Sequence, residues 1–232
     1  MKKITVLVIS IFIFLTACSD NCINGDNNYI TLEENLNNFE NIVNPYPGTV
    51  HLKLGDSKVD YSIEENLKNK IEFDINNNTL ELKDKDDNCF SSNGIEFIFY
   101  SNSYNILENN GSADWTSDSL NFDPIIISNG SGDFNLVGSS NNQEIKSNGS
   151  GDIDLSMMPT INAQIESNGS GGITISASDN VDVVSNGSGG ITINNITGEL
   201  SVLINGSGDI YYNGSPSKIT VTENGSGRLI EK

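Results

Sequence analysis

Histidine is almost missing from this chain: His51 is the single copy among 232 residues. Of the three cysteines one, Cys18, stands where lipidation is expected, and the remaining two with one histidine make a poor zinc site. The many serines have no base partner that would turn one of them into a nucleophile. Basic residues are scarce too, 12 Lys and Arg against 31 Asp and Glu, for a formal charge of −19. A surface this acidic repels nucleic acid and anionic lipid head groups. It suits a soluble extracellular face, a cationic partner or divalent ions. The apolar stretch over residues 4–14, interrupted only by Thr5 and Ser10, is shorter than the helix of about 20 residues that crosses a bilayer.

That stretch has a different use. Lys2 and Lys3 precede it and Leu15-Thr16-Ala17-Cys18 closes it, which resembles the lipobox of bacterial lipoproteins. Residues 1–17 are therefore expected to be a signal peptide, removed from the mature protein. Cys18 would then be diacylated, and two acyl chains anchor stably where one does not; the alternative is an ordinary leader with a chance cysteine. Residues 18–29, polar and rich in Asn, read as a lipidated tether. Ser19-Asp20-Asn21 resembles the segment behind the anchor of flavobacterial and bacteroidal lipoproteins bound for the cell surface. The expected location is extracytoplasmic, on the outer membrane or cell surface. The remaining cysteines, Cys22 and Cys89, are expected to form a disulfide in that oxidising compartment.

What the chain has in abundance is a repeat. Asn-Gly-Ser-Gly begins at Asn129, Asn148, Asn168, Asn186, Asn205 and Asn224, followed in each case by Gly130, Gly149, Gly169, Gly187, Gly206 and Gly225. A degenerate Asn-Gly-Ser-Ala starts at Asn110, and successive starts lie 19, 19, 20, 18, 19 and 19 residues apart. Three residues before each Asn stand Leu107, Ile126, Ile145, Ile165, Val183, Val202 and Val221. Five after it stand Trp115, Phe134, Ile153, Ile173, Ile191, Ile210 and Leu229. Polar residues alternate with them, the signature of half-buried strands. Each repeat is strand, corner, strand and a looser return. Asn-Gly suits such a corner because both residues tolerate positive φ. Stacked Asn side chains are expected to hydrogen-bond along the axis. Hairpins with type I′ turns compete for the same signal. They do not need a fixed 19-residue register, whereas stacked rungs do, so residues 110–232 read as a seven-repeat parallel β-solenoid.

Residues 30–109 read as a β-rich N-terminal portion that caps the solenoid. Strands are expected over residues 49–54, 71–75, 79–82 and 94–100, and residues 62–70 as one helical turn or a loop. At the other end Glu231 fills a site that is aliphatic in most rungs, so the core ends where the chain stops.

The order Phe39-Glu40-Asn41-Ile42-Val43, Gly48-Thr49-Val50-His51-Leu52-Lys53-Leu54-Gly55-Asp56, Leu80-Glu81-Leu82 and then rungs such as Gly149 to Ile153 resembles the putative auto-transporter adhesin, head GIN domain family of Bacteroidetes. The likeness spans roughly residues 30 to 230. It implies a secreted protein or lipoprotein with a right-handed parallel β-helix, and it carries no catalytic residues over.

Candidate chemistry sits beside the corners. The fourth residue after each Asn is Asp114, Asp133, Asp152, Gly172, Gly190, Asp209 or Arg228. Asp114, Asp133 and Asp152 on adjacent rungs would form a carboxylate ladder that Ca²⁺ could bridge. The plainer account is that these side chains accept backbone N–H groups. A carboxylate pair also serves polysaccharide hydrolases and lyases. The short solenoid without long loops, and a strand histidine facing outward, weigh against catalysis. Tyr211, Tyr212, Trp115 and Tyr104 are the aromatics best able to form a binding patch, Tyr211 alone being placed outward. No catalytic residue or obligatory cofactor is expected. The function expected is a surface-exposed, non-catalytic binding or adhesin-like module for a glycan or surface protein; the alternatives are a structural envelope scaffold and a polysaccharide hydrolase or lyase.

Overall fold

The computed structural model describes residues 22–85 and 89–232. The leader, Cys18 and the first part of the tether, all within residues 1–21, lie outside the described residues.

Alternation along the repeat becomes two parallel sheets that meet at the corner. Before the corners run Ile106–Asn109, Ile125–Ser128, Asn142–Ser147, Asn162–Ser167, Val181–Ser185, Glu199–Ile204 and Lys218–Glu223. After them run Ala113–Ser117, Phe134–Asn135, Ile153–Thr160, Ile173–Ala177, Ile191–Ile196, Ile210–Gly214 and Leu229–Glu231. Each strand pairs in parallel with its equivalent one rung away. Ile126 thus lies opposite Ile145, and Ile145 opposite Ile165. Across the corner Ile173 lies opposite Ile191. The two strands flanking a corner belong to different sheets, which rules out hairpins there. The result is a β-solenoid of seven corner-bearing turns with rungs about 19 residues long.

The core is the set of inward columns. Leu107, Ile126, Ile145, Ile165, Val183 and Val202 are buried on one sheet, and Trp115, Phe134, Ile153, Ile173, Ile191 and Ile210 on the other. Burying one such side chain is worth about 1.5–3 kcal/mol, and stacking makes the column continuous. The return segments close the third side with Leu120, Met158, Ala177 and Ile196, all buried. Ser117 interrupts an otherwise apolar column, and its hydroxyl is used: Val137 N–H donates to it at 3.0 Å.

The corner itself differs from expectation in one respect. None of its Asn or Gly residues has positive φ; among the described residues that conformation falls at Asn77 and Asn78, which turn a true hairpin, and at a few other sites. Glycine is required for a different reason. A Cβ on Gly149 would run into the carbonyl oxygen of Gly130, and one on Gly151 into that of Gly132. The corners stack so closely that Ser150 N–H donates to the Gly130 carbonyl at 3.0 Å, and Ser170 N–H to that of Gly149 at 3.0 Å.

Two further rungs without the motif extend the stack, and they are out of sequence order. Asn41–Asn44 and Gly48–Leu54 lie directly beside Ile106–Asn109 and Ala113–Ser117. Thr79–Asp84 and Ile95–Ser101 lie outside that rung. The chain thus enters at the second rung, moves outward to build the end, and returns to the third. Antiparallel strands finish the end: Ile71–Asn76 pairs with Thr79–Asp84, and Lys58–Glu64 with both Ile95–Ser101 and Tyr29–Asn35. The expected helical turn or loop over residues 62–70 is therefore strand up to Glu64 and a 3-10 turn over Glu65–Leu67. Phe97, Phe99 and Tyr61 stack and Phe73 packs edge-on against them, with ring centres 5.2–6.3 Å apart, to fill the wider cap.

Ile23–Asn24, in the stretch read as tether, pairs with Phe90–Ser91, and a Cys22–Cys89 disulfide ties the two segments together.

Candidate binding face and cap cavity

Corner side chains form two axial ladders. Asn224, Asn205, Asn186, Asn168, Asn148 and Asn129 each donate Nδ2–H to the Oδ1 of the Asn one rung earlier, ending at Asn110, over 2.8–2.9 Å. The Asp site works differently. Asp114 accepts the backbone N–H of Asp133 at 3.0 Å, Asp133 that of Asp152 at 2.7 Å, and Asp152 that of Gly172 at 2.6 Å. Asp209 accepts that of Arg228 at 2.9 Å. Each carboxylate satisfies the next rung. Among the described residues no group of three or more His, Cys, Asp or Glu is arranged to hold a metal ion.

Arg228 occupies the Asp position of the last rung, where no further N–H follows. Its Nη1 donates instead to the carbonyls of Ser226 and Gly227 at 3.1 and 2.8 Å. Glu223 accepts the N–H of Leu229 at 3.0 Å. The last corner is thereby capped by side chains.

The aromatics divide sharply. Trp115 and Tyr104 are fully buried, Tyr212 is buried, and Tyr211 is half-buried beneath Lys232, whose Nζ sits 4.4 Å from its ring centre. His51 faces outward, its ring nitrogens 2.8 Å from Thr116 Oγ1 and 3.0 Å from Asp118 Oδ1. The exposed aromatic is one that sequence reading passed over. Tyr29, 45 % exposed, stands on the antiparallel strand Tyr29–Asn35, in a stretch whose alternation is masked by Asn and Glu.

Tyr29 borders a cavity of about 550 Å³ whose other walls are Gly48, Thr49, Ser62, Asn93, Gly94, Ile95 and Glu96. Strand register sets the floor, with Glu96 between Ser62 on one side and Thr49 on the other. Behind it lies Glu64, fully buried. Its carboxylate accepts the hydroxyl of Ser92 at 2.6 Å, the N–H of Asn93 at 3.1 Å and the hydroxyl of Tyr29 at 3.2 Å. Burial pushes this carboxyl up, but those hydrogen bonds outweigh it and hold it below the usual glutamate range. Burial and the same carboxylate raise the Tyr29 phenol, which stays a neutral donor. A second cavity of about 350 Å³ lies on the outer side of the pre-corner sheet. Asp123, Asn142, Asn162 and Asn180 join there in another cross-rung ladder.

A stack of near-identical rungs with an antiparallel cap at one end defines a β-solenoid protein. Residues 38–197 match the family described as putative auto-transporter adhesin, head GIN domain, and the chain belongs to that family. Solved structures share the fold. A putative adhesin from Bacteroides fragilis aligns with TM-score 0.83 at 23 % identity, covering 90 % of this chain and 100 % of that one. A putative adhesin from Parabacteroides distasonis aligns with TM-score 0.69 at 16 % identity, covering 90 % and 99 %. A putative lipid binding protein from the same species aligns with TM-score 0.63 at 19 % identity, covering 90 % and 99 %. No curated protein matches the chain.

Proposed function

We propose that the protein is a non-catalytic binding module, held at the outer membrane or cell surface by acylated Cys18, that engages a glycan or surface protein in the manner of an adhesin. The observation that carries this reading is the division of labour along the chain. Corner residues are consumed in stacking, whereas variable polar residues face outward on both long sheets and the cap carries the cavity beside Tyr29. Asp114, Asp133 and Asp152 each accept a backbone N–H through one carboxylate oxygen, which supports a structural role for them. Membership of a putative adhesin family agrees. The test is a glycan array and a cell-surface binding assay with the mature chain. Saturable binding to a defined glycan or intact cells is expected, and its absence in both overturns the reading. Anchoring is read separately: Cys18→Ser should abolish incorporation of labelled fatty acid, and retained label refutes the lipid anchor.

A further inference from the structure

We propose that the cavity beside Tyr29 is a subsite for a neutral saccharide, a proposal that rests on the binding-module reading and gives it a place and a ligand class. Ligand sites are concave, combine aromatic surface with a few fixed polar groups, and run from about 300 to 1,000 Å³; this cavity is about 550 Å³. Its aromatic wall is held in place. The Tyr29 hydroxyl is tied to buried Glu64, which is itself held by Ser92 and Asn93. The segment carrying those two residues is fastened by the Cys22–Cys89 disulfide. A ring held by such a tether offers rigid amphipathic surface to a pyranose at little entropic cost.

The polar groups specify what stacks there. Glu96 is an acceptor only, while the hydroxyls of Thr49 and Ser62 accept and donate. Asn93 spends one of its two Nδ2–H donors on Asn27 Oδ1 at 2.7 Å, which leaves its carbonyl oxygen to accept and one N–H to donate. No lysine, arginine or histidine lines the cavity. An acceptor-rich wall without cations, on a chain of formal charge −19, disfavours phosphate, sulfate and uronate groups. It matches a ligand that carries many O–H donors and no negative charge. Gly94 lets such a ligand approach the backbone, since the space where a Cβ would stand is open.

The experiment titrates cellohexaose, maltohexaose, mannohexaose and chitohexaose, with spermidine as the cationic control, into the mature chain carrying Cys18→Ser. Backbone amide shifts are the readout. At least one hexasaccharide should give saturable shifts concentrated at residues 29, 49, 62 and 93–96. Tyr29→Ala and Glu96→Ala should each weaken that binding by about tenfold or more. Both side chains are exposed, so folding of the variants is checked by their unchanged spectra elsewhere. Shifts from spermidine alone, shifts elsewhere, or unaltered affinity in both variants overturn the subsite. If array binding survives in Tyr29→Ala, the subsite falls while the binding-module reading stands. If neither array, intact cells nor hexasaccharide binds, both fall.

Discussion

At the scale of single residues, the corner glycines are not equivalent. The fourth residue of each Asn-Gly-Ser-Gly motif lies against a carbonyl of the preceding rung, whereas Gly172 and Gly190, one place further on, do not. A Cβ on Gly172 would have Asp152 Oδ1 as its nearest neighbour at 3.4 Å, an ordinary contact. Gly151→Ala should therefore cost at least about 3 kcal/mol in urea denaturation, the range of a severe steric or strain defect. Gly172→Ala should leave the midpoint unchanged. Equal effects of the two would refute the close-approach account. The residue just before each corner gives a prediction of opposite sign. Ser128, Ser147, Ser167 and Ser185 point inward, are fully buried, and their hydroxyls find no partner among the described residues. Ile204 fills the same site one rung later, so the site accepts an apolar side chain. A buried hydroxyl without a partner is a net cost, and Ser147→Ala should stabilise the protein by about 1 kcal/mol. A loss of similar size would mean that the hydroxyl is satisfied after all, by a water.

At the scale of elements, the last rung shows how an open end is managed. Lys218–Glu223 is exposed along its whole length, with Ile219 and Val221 among its side chains, the kind of edge that invites pairing with another chain. Arg228 and Glu223 cap the neighbouring corner carbonyls of Ser226 and Gly227 and the N–H of Leu229, and leave the strand edge itself open. Arg228→Ala should loosen this rung by about 1 kcal/mol, read as faster hydrogen exchange over residues 218–231 with rates in the middle rungs unchanged. An unaltered pattern would show that the guanidinium adds nothing to the end. The seven motif-bearing rungs were legible in the sequence because stacking imposes a strict register on their apolar residues. The two outer rungs were legible only as a β-rich, irregular start of the stack, since Asn44-Pro45-Tyr46-Pro47-Gly48 replaces the corner in one of them and the strand order departs from chain order. Lys58–Glu64 does alternate, with Val59, Tyr61 and Ile63 buried, but its partners lie on either side of it in sequence. The site followed the same rule. Its walls come from four strands and a loop, and pattern along one strand cannot show that Tyr29, Ser62 and Glu96 meet. The Asp ladder was legible as a choice between two roles, and the hydrogen bonds favour backbone capping.

At the scale of the whole molecule, a solenoid is a one-dimensional stack whose stability is close to a sum of rung and interface terms. Its ends are therefore the places where unfolding starts. At the C-terminal end side chains cap the last corner, and the strand Lys218–Glu223 stays exposed. The N-terminal end is closed by antiparallel strands, a disulfide and the buried carboxylate of Glu64, beneath Gly25, Ser92 and Asn93. That carboxylate makes the cap sensitive to acid. Its acidity in the folded protein is greater than in the unfolded chain, so the unfolded state binds the proton more readily. The stabilisation is complete above the ordinary glutamate range and fades as pH falls through and below it, roughly pH 4. Glu64→Gln keeps the volume and removes the titration. At pH 7 the variant should be less stable than the parent, and the gap should close as pH is lowered towards about 3. The parent and variant are compared at each pH because the other carboxylates titrate alike in both. A gap that stays constant with pH would show that Glu64 acts through its shape alone, and that the clamp behind Tyr29 does not depend on charge.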